Sequence, residues 1–474
     1  MKKTLLIGAI VIVLVSVIAP KFISNSFNQK LDSVVELINQ NPAYSASIKD
    51  RTSAWFFSAA TINIAFDSSS FAQENTPELQ DVFADMNVDV VIDTQHGPIL
   101  TNNGIALGWL SWNARVEGNS LRDTLLFEAN TPFYQITSHT NLLGVSSFSD
   151  KIPSFKMKEK EDVFTQLSFS GWNGSGSFSN SEVSYQGKLE TINANSAFGK
   201  FELNQWRVNS SIQGNLMNAM GGDFYDSTMS MQIQNITFEQ VSDQAKTILT
   251  ELEINGMSDF GETTSLLDTQ INFSLQELTT TELNLSSVLV NTEINNLKEQ
   301  FFKAYQTFMS EIGKEPEKMQ ENLNTFMQTE LLGQLQAEPE FNISSFAAKI
   351  NQGNITGSLS SKIHQVTDLP DAIASPVFWL QHIMANGQIN ADASAALWLA
   401  TDTIKSQIKA DPSAAQMTTE EITDIAQQQA PAMLQGMQQQ GLFTETATGY
   451  QMVFSLKDGQ AMLNGNPMPL PIGQ

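Results

Sequence analysis

The sequence predicts an α+β protein that is predominantly antiparallel β: a long, twisted and curved sheet with inserted helices, preceded by one N-terminal transmembrane helix. Three observations predict it. Apolar and polar residues alternate in segment after segment between Tyr44 and Glu293, the signature of strands with one buried and one wet face. The intervening turns are short, which joins strands as antiparallel hairpins rather than βαβ crossovers. The period turns helical in only a few places, chiefly after Asn296.

At the N-terminus, Lys2 and Lys3 precede an uncharged run from Leu5 to Ala19, LLIGAIVIVLVSVIA. Such a run is either a signal peptide or a membrane span. Pro20 beside the candidate cleavage point disfavours cleavage, and Phe22 and Ile23 lengthen the span while Lys21 snorkels. The reading is an uncleaved anchor, with a cleaved secreted chain as the alternative. Positive charge at the N-terminus keeps that end cytoplasmic and places the bulk of the chain in the periplasm. The expected localisation is therefore the inner membrane, single-pass.

Next comes an amphipathic helix with Phe27, Leu31, Val34, Val35 and Ile38 on one face, ended by Asn41-Pro42. It is either a stalk that pairs in a dimer or, as expected of a short helix, packed on its own sheet. Strand patterns follow at Thr61–Phe66, Val88–Ile92, Met229–Ile233, Leu252–Ile254 and Leu267–Leu275. Leu283 and Leu285, and then Val288 and Val290, follow in the same alternating pattern. Asn173-Gly174-Ser175-Gly176, Gly221-Gly222-Asp223 and Asn255-Gly256 read as turns.

Leu297, Phe301, Tyr305, Phe308 and Ile312 share one helical face, and Gly313 to Pro316 breaks it. Met319, Leu323, Phe326 and Leu335 mark a second helix. Strands resume at Phe341–Ile343 and Asn354–Leu359. Val377 to Asn386 reads as a short helix stopped by Gly387, followed by a strand alternating Ile389, Ala391, Ala393, Ala395 and Leu397. Thr418 and Glu421 form a capping box for a Gln-rich helix ended by Gly441, and Asp458-Gly459 turns a closing hairpin. The organisation is a cytoplasmic tip and anchor over 1–23, a juxtamembrane helix over 24–43, an antiparallel β region over 44–295, a helical hairpin insertion over 296–338 and a C-terminal β/α region over 339–474 closing the same sheet.

Charge narrows the function. Acidic residues outnumber basic ones by 50 to 25, a net charge of −25, so the chain repels phosphate backbones and no nucleic-acid partner is expected. No cysteine is present, which removes disulfides, thiolate metal sites and cysteine nucleophiles. Four histidines, His96, His139, His364 and His382, lie outside metal-ligand spacing of one another. Ser406 and Lys409 fit SxxK without its companion motifs. Trp109, Trp112, Trp172 and Trp206 sit in strand contexts and are read as core rather than as a binding rim.

The anchor, the strand entry Trp55-Phe56-Phe57-Ser58-Ala59-Ala60, the tripeptide His96-Gly97-Pro98, the helical insertion and the terminal Asp458-Gly459-Gln460 to Met468 occur in this order over nearly the whole chain. In that order they resemble the YdgA/YihF-type family of Gram-negative inner-membrane proteins, a domain-of-unknown-function family. One departure is Thr52-Ser53-Ala54, where family members carry an aromatic residue or Gly near Arg51. The resemblance implies a β-rich periplasmic body held by a signal anchor, and no catalytic residues. Trp55, Phe57, Ser58, His96, Gly97 and Pro98 are its motif residues, expected to be structural.

No catalytic residues, cofactor or metal ligands are expected. The reading is a non-enzymatic cell-envelope protein that acts as a partner-binding or structural module, self-associating or holding another envelope protein. The alternative is a lipid or hydrophobic-ligand carrier with an apolar groove in the curved sheet. The two differ in whether the inserted helices fill that face.

Overall fold

The computed structural model describes residues 27–39, 44–53, 57–66, 87–97, 99–101, 105–158, 164–196, 199–215, 223–242, 245–281, 283–314, 318–370, 373, 375–411, 414 and 416–468. The apolar run Leu5–Ala19 lies outside them. No helix among the described residues is long and apolar enough to cross a membrane. Two compact units are present, one drawn from Met1–Gln244, Met257–Ser265 and Glu299–Glu330, the other from Ala245–Gly256, Leu266–Lys298 and Leu331–Gln474. The described residues are mostly antiparallel β-sheet with six α-helices.

Unit 1 begins with α1 (Phe27–Asn39), which packs on β1 (Tyr44–Ser53). Leu31, Val34 and Ile38 are buried, and Arg51 of β1 pairs with Asp32. Asn39 closes the connection by exchanging hydrogen bonds with the Ala46 backbone at 3.0 and 2.6 Å. The helix therefore packs on its own sheet.

The sheet continues through β2 (Phe57–Phe66), β3 (Asn87–His96), β6 (Leu110–Val116), β7 (Leu125–Phe127), β8 (Tyr134–Thr140) and β9 (Ser146–Ile152), while β4 (Ile99–Leu100) and β5 (Ala106–Leu107) form a separate two-stranded hairpin. The sheet is completed by β10 (Phe155–Met157), β11 (Phe164–Phe169), β12 (Trp172–Phe178), β13 (Val183–Ser196), β14 (Gly199–Ile212) and β15 (Ser227–Gln240). Antiparallel pairing runs β1-β2-β3-β6-β8-β9-β12-β13-β14-β15. One face is the core: Ile62, Ile92, Ala114, Ile136 and Leu189 are nearly inaccessible, as period-two alternation requires.

In unit 2, β16 (Lys246–Gly261, divided between the units after Gly256) precedes β17 (Leu266–Thr279) and β18 (Asn284–Lys298). Between Leu285 and Val288 lies a bulge with Ser287 at φ 52°. Two helices follow, α2 (Glu299–Lys314) and α3 (Met319–Gln336). Phe301, Tyr305 and Phe308 gather around Phe326, with Phe308 stacked on it at 5.2 Å. These four rings belong to unit 1.

The unit 2 sheet resumes with β19 (Glu340–Ile350) and β20 (Gly353–Ile363), then α4 (Pro376–His382), β21 (Ile383–Asp392), α5 (Ala393–Ala410), α6 (Thr419–Gln439), β22 (Thr444–Glu445), β23 (Gly449–Lys457), β24 (Gln460–Leu463) and β25 (Asn466–Pro467). Its antiparallel order is β17-β18-β19-β20-β21-β23-β24-β25. Thr418 caps α6 in a reciprocal box with Glu421.

Five expectations need correction. Asn173–Gly176 and Asn255-Gly256 lie within strands β12 and β16, not in turns. A Cβ on Gly174 would stand 2.0 Å from Asp150 Oδ1, one on Gly176 2.6 Å from the Phe148 ring, and one on Gly187 2.1 Å from the Trp172 ring. Large neighbours thus occupy the space over these glycines. Gly221 and Gly222 lie outside the described residues.

The other three corrections concern a helix, the strand expected after it and a tryptophan. α4 stops at His382, and the strand begins at Ile383. Ala393, Ala395 and Leu397 then lie on α5, because the Ala-rich run has high helix propensity and its small side chains let α6 approach closely. Trp109 is 56% exposed rather than core, since its neighbour Leu110 takes the inward position at the strand start. Trp112 and Trp172 are buried, and Trp206 meets Trp172 edge-on at 5.5 Å.

Candidate functional site

Of the motif residues, Phe57, Ser58, His96 and Gly97 meet at one end of the unit 1 sheet. Trp55 and Pro98 lie outside the described residues. Phe57 is exposed, whereas Ser58 is buried and its Oγ lies 3.0 Å from His96 Nε2 and 3.3 Å from Ser53 Oγ. Thr94 Oγ1 donates to the Ser58 carbonyl at 2.9 Å. Burial holds the His96 pKa below its ordinary value, which favours neutral imidazole at pH 7. Gly97 follows because two backbones cross there: its N–H donates to Trp109 O at 2.7 Å, and an added Cβ would stand 1.7 Å from Gly108 O. Gly97→Ala is therefore expected to destabilise unit 1 by about 2 kcal/mol, read as a lower urea midpoint.

A second polar constellation lies within unit 1's core. Asp150 is 4% exposed and its Oδ1 has no hydrogen-bond partner among the described residues. Trp172 Nε1 donates to the Tyr185 hydroxyl at 2.9 Å, and that hydroxyl donates to Asp150 Oδ2 at a long 3.4 Å. Burial pushes the Asp150 carboxyl up to about 6. The buried Tyr134 hydroxyl also has no partner among the described residues, and burial and the Asp150 charge keep it protonated. Sequence reasoning missed this group, since a lone Asp in an alternating strand reads as a solvated residue.

The most ligand-like feature belongs to unit 2. Register aligns Val290, Phe346, Gly357, Ile389 and Met452 in one row across five strands. A depression of about 320 Å³ opens on this face, walled by Ile343, Phe346, Leu359, Ile389, Met452 and Phe454 and floored by Gly357 and Gly387. The opposite face of the same strands is polar, carrying Ser358, Ser360, Asn386, Gln388 and Ser455.

Helices cover the apolar face on both sides of the depression. At one end α5 and α6 bury Ala396, Ala400, Ala426 and Ala430 and lean on Ala391 and Tyr450. At the other, Leu380 and Ile383 pack on Ala385, Leu456 and Ala461. Between them Gly387 and Ile389 stay uncovered, and Ile389 is 46% exposed. The missing side chains of two diagonal glycines, Gly357 opposite Ile389 and Gly387 opposite Leu359, make the hollow, and its apolar wall suits a hydrocarbon chain.

Acid–base or metal chemistry has no comparable framework among the described residues. No group of three His, Cys, Asp or Glu there could hold a metal ion. Ser406 and Lys409 are both exposed on α5. His364 is buried, and its carbonyl lies 3.0 Å from His382 Nδ1.

A family model described as bacterial protein of unknown function (DUF945) matches residues 1–471. The chain belongs to the DUF945 family. No curated protein and no solved structure matches it. The DUF945 match spans both units and the closing hairpin.

Proposed function

We propose that this DUF945 chain is a non-enzymatic envelope protein of the YdgA/YihF type, tethered to the inner membrane through residues 1–23, that holds the acyl chain of a membrane lipid on unit 2. One observation carries the reading: an apolar depression of about 320 Å³ left uncovered between two helix-packed zones of one sheet face. Soluble surfaces seldom leave such an apolar hollow unfilled unless something occupies it. The half-exposed rings and branches of Phe346, Leu359 and Phe454 gain burial only when an apolar chain lies across them. The polar opposite face would keep the loaded sheet wetted on its other side.

A photoactivatable fatty acid tests this on the full chain in mild detergent. Crosslinks are expected on the peptides bearing Ile389 and Met452, competed away by unlabelled phospholipid. Labelling spread evenly over both units would contradict the proposal. Capture of a second protein at the depression would favour the partner-binding module instead.

A further inference from the structure

At the Ser58–His96 end, unit 1 presents an exposed apolar surface with no charge on its loops. Ile105 and Leu143 are each 89% exposed, and Phe57, Leu107, Trp109 and Leu142 are also exposed. They share one end of the sheet, because register puts His96 opposite Leu110 and Leu110 opposite Thr140. Trp109 Nε1 donates to Leu142 O at 3.0 Å, tying the two loops together. No Asp, Glu, Lys or Arg occurs from Gly97 to Ala114 or from His139 to Ser149. The next turn at this end, Ser179–Glu182, is polar and bounds the patch.

We propose that this end of unit 1 docks on a lipid bilayer, with the loops around Ile105–Trp109 and Leu142–Leu143 entering the headgroup layer. The direction of α1 supplies the argument for that occupant. Asn39 meets Ala46 and Asp32 meets Arg51, so the helix runs antiparallel to β1. Five residues of helix back from Asp32, about 7.5 Å, reach Phe27, and two residues of strand on from Arg51, about 7 Å, reach Ser53. The chain upstream of Phe27, which carries the apolar run Leu5–Ala19, is therefore attached at the apolar end of the sheet.

Charge points the same way. A chain of net charge −25 is repelled by anionic lipid over most of its surface, whereas uncharged loops with a tryptophan at their base suit the interface. The inference rests on the anchor reading but not on the depression in unit 2.

The absence of native cysteine permits a clean test. Leu143→Cys and, at the opposite end of the sheet, the exposed Ala129→Cys would each carry an environment-sensitive fluorophore on the full chain. The labelled chains are reconstituted in phosphatidylethanolamine/phosphatidylglycerol vesicles. At position 143 the expected result is a blue-shifted emission that loses most of its intensity to a lipid-borne quencher, with position 129 unaffected. Water-like emission at both positions would overturn docking while leaving the anchor intact. Shielding of position 143 from an aqueous quencher without quenching from lipid would also overturn it, in favour of a protein partner. Failure of either chain to associate with vesicles would overturn the anchor and the docking together.

Discussion

Replacing Asp150 with Asn raises the stability of unit 1 at pH 7.5 by about 3 kcal/mol, the free energy separating an ordinary carboxyl at 3.8 from one held at about 6. The cause is burial. The carboxyl is 4% exposed, and that burial outweighs the hydrogen bonds it accepts from Tyr185, Trp172 and its own backbone, so the folded state prefers the protonated form. A carboxyl raised in this way contributes stability that is complete below about pH 3.8. That contribution is lost as pH rises through about 6.

The wild type should therefore gain stability between pH 7.5 and pH 5 from this group, while Asp150→Asn should be flat over the same interval. Asn keeps the shape beside Gly174 and can still accept from Tyr185. Urea unfolding of both chains at the two pH values reads the difference. Equal stability of the two chains at pH 7.5 would show that the charge is compensated.

The second large effect concerns the depression. Gly387→Ile places a branched side chain on its floor. The new Cβ would sit 3.4 Å from Leu359 Cδ1 and 3.5 Å from the Ser358 backbone oxygen, both ordinary van der Waals contacts. A β-branched residue also suits a strand better than glycine. Folding stability should be unchanged or slightly raised, while affinity for an apolar chain should fall about a hundredfold, or roughly 2.7 kcal/mol. Gly357 is the poorer choice, since its Cβ would press within 3.1 Å of Gln388 O. Unaltered binding by Gly387→Ile would place the ligand elsewhere.

What the sequence revealed depended on whether a signal was local. Period-two alternation marked β2, β3, β15 and β17, whereas the Ser287 bulge between Leu285 and Val288 was not anticipated. The Thr418–Glu421 box and the Asp458-Gly459 turn, with both turn residues at positive φ, were equally local. Failures came where a distant partner decides. Gly174 and Gly176 look like a turn until Asp150 and Phe148 are seen standing over them. Ala393 and Ala395 alternate like a strand, but packing against α6 selects a helix.

The same distinction applies to the candidate sites. An apolar groove in the curved sheet was the alternative reading of the strand pattern, conditional on that face being unfilled. Its walls, however, come from four strands separated by helices, and no local signal marks Phe346 or Gly357 as neighbours of Met452. The Ser58–His96 pair joins two segments singled out separately. Asp150 carried no signal at all, because its burial depends on the tyrosine and tryptophan of β12 and β13.

Native mass spectrometry of the chain purified in mild detergent tests the central claim most directly, with Gly387→Ile measured in parallel. The account predicts a phospholipid or fatty acid retained by the wild type and lost from the variant at equal folded yield. A wild-type chain that emerges bare, or a variant that retains the lipid equally well, would contradict it.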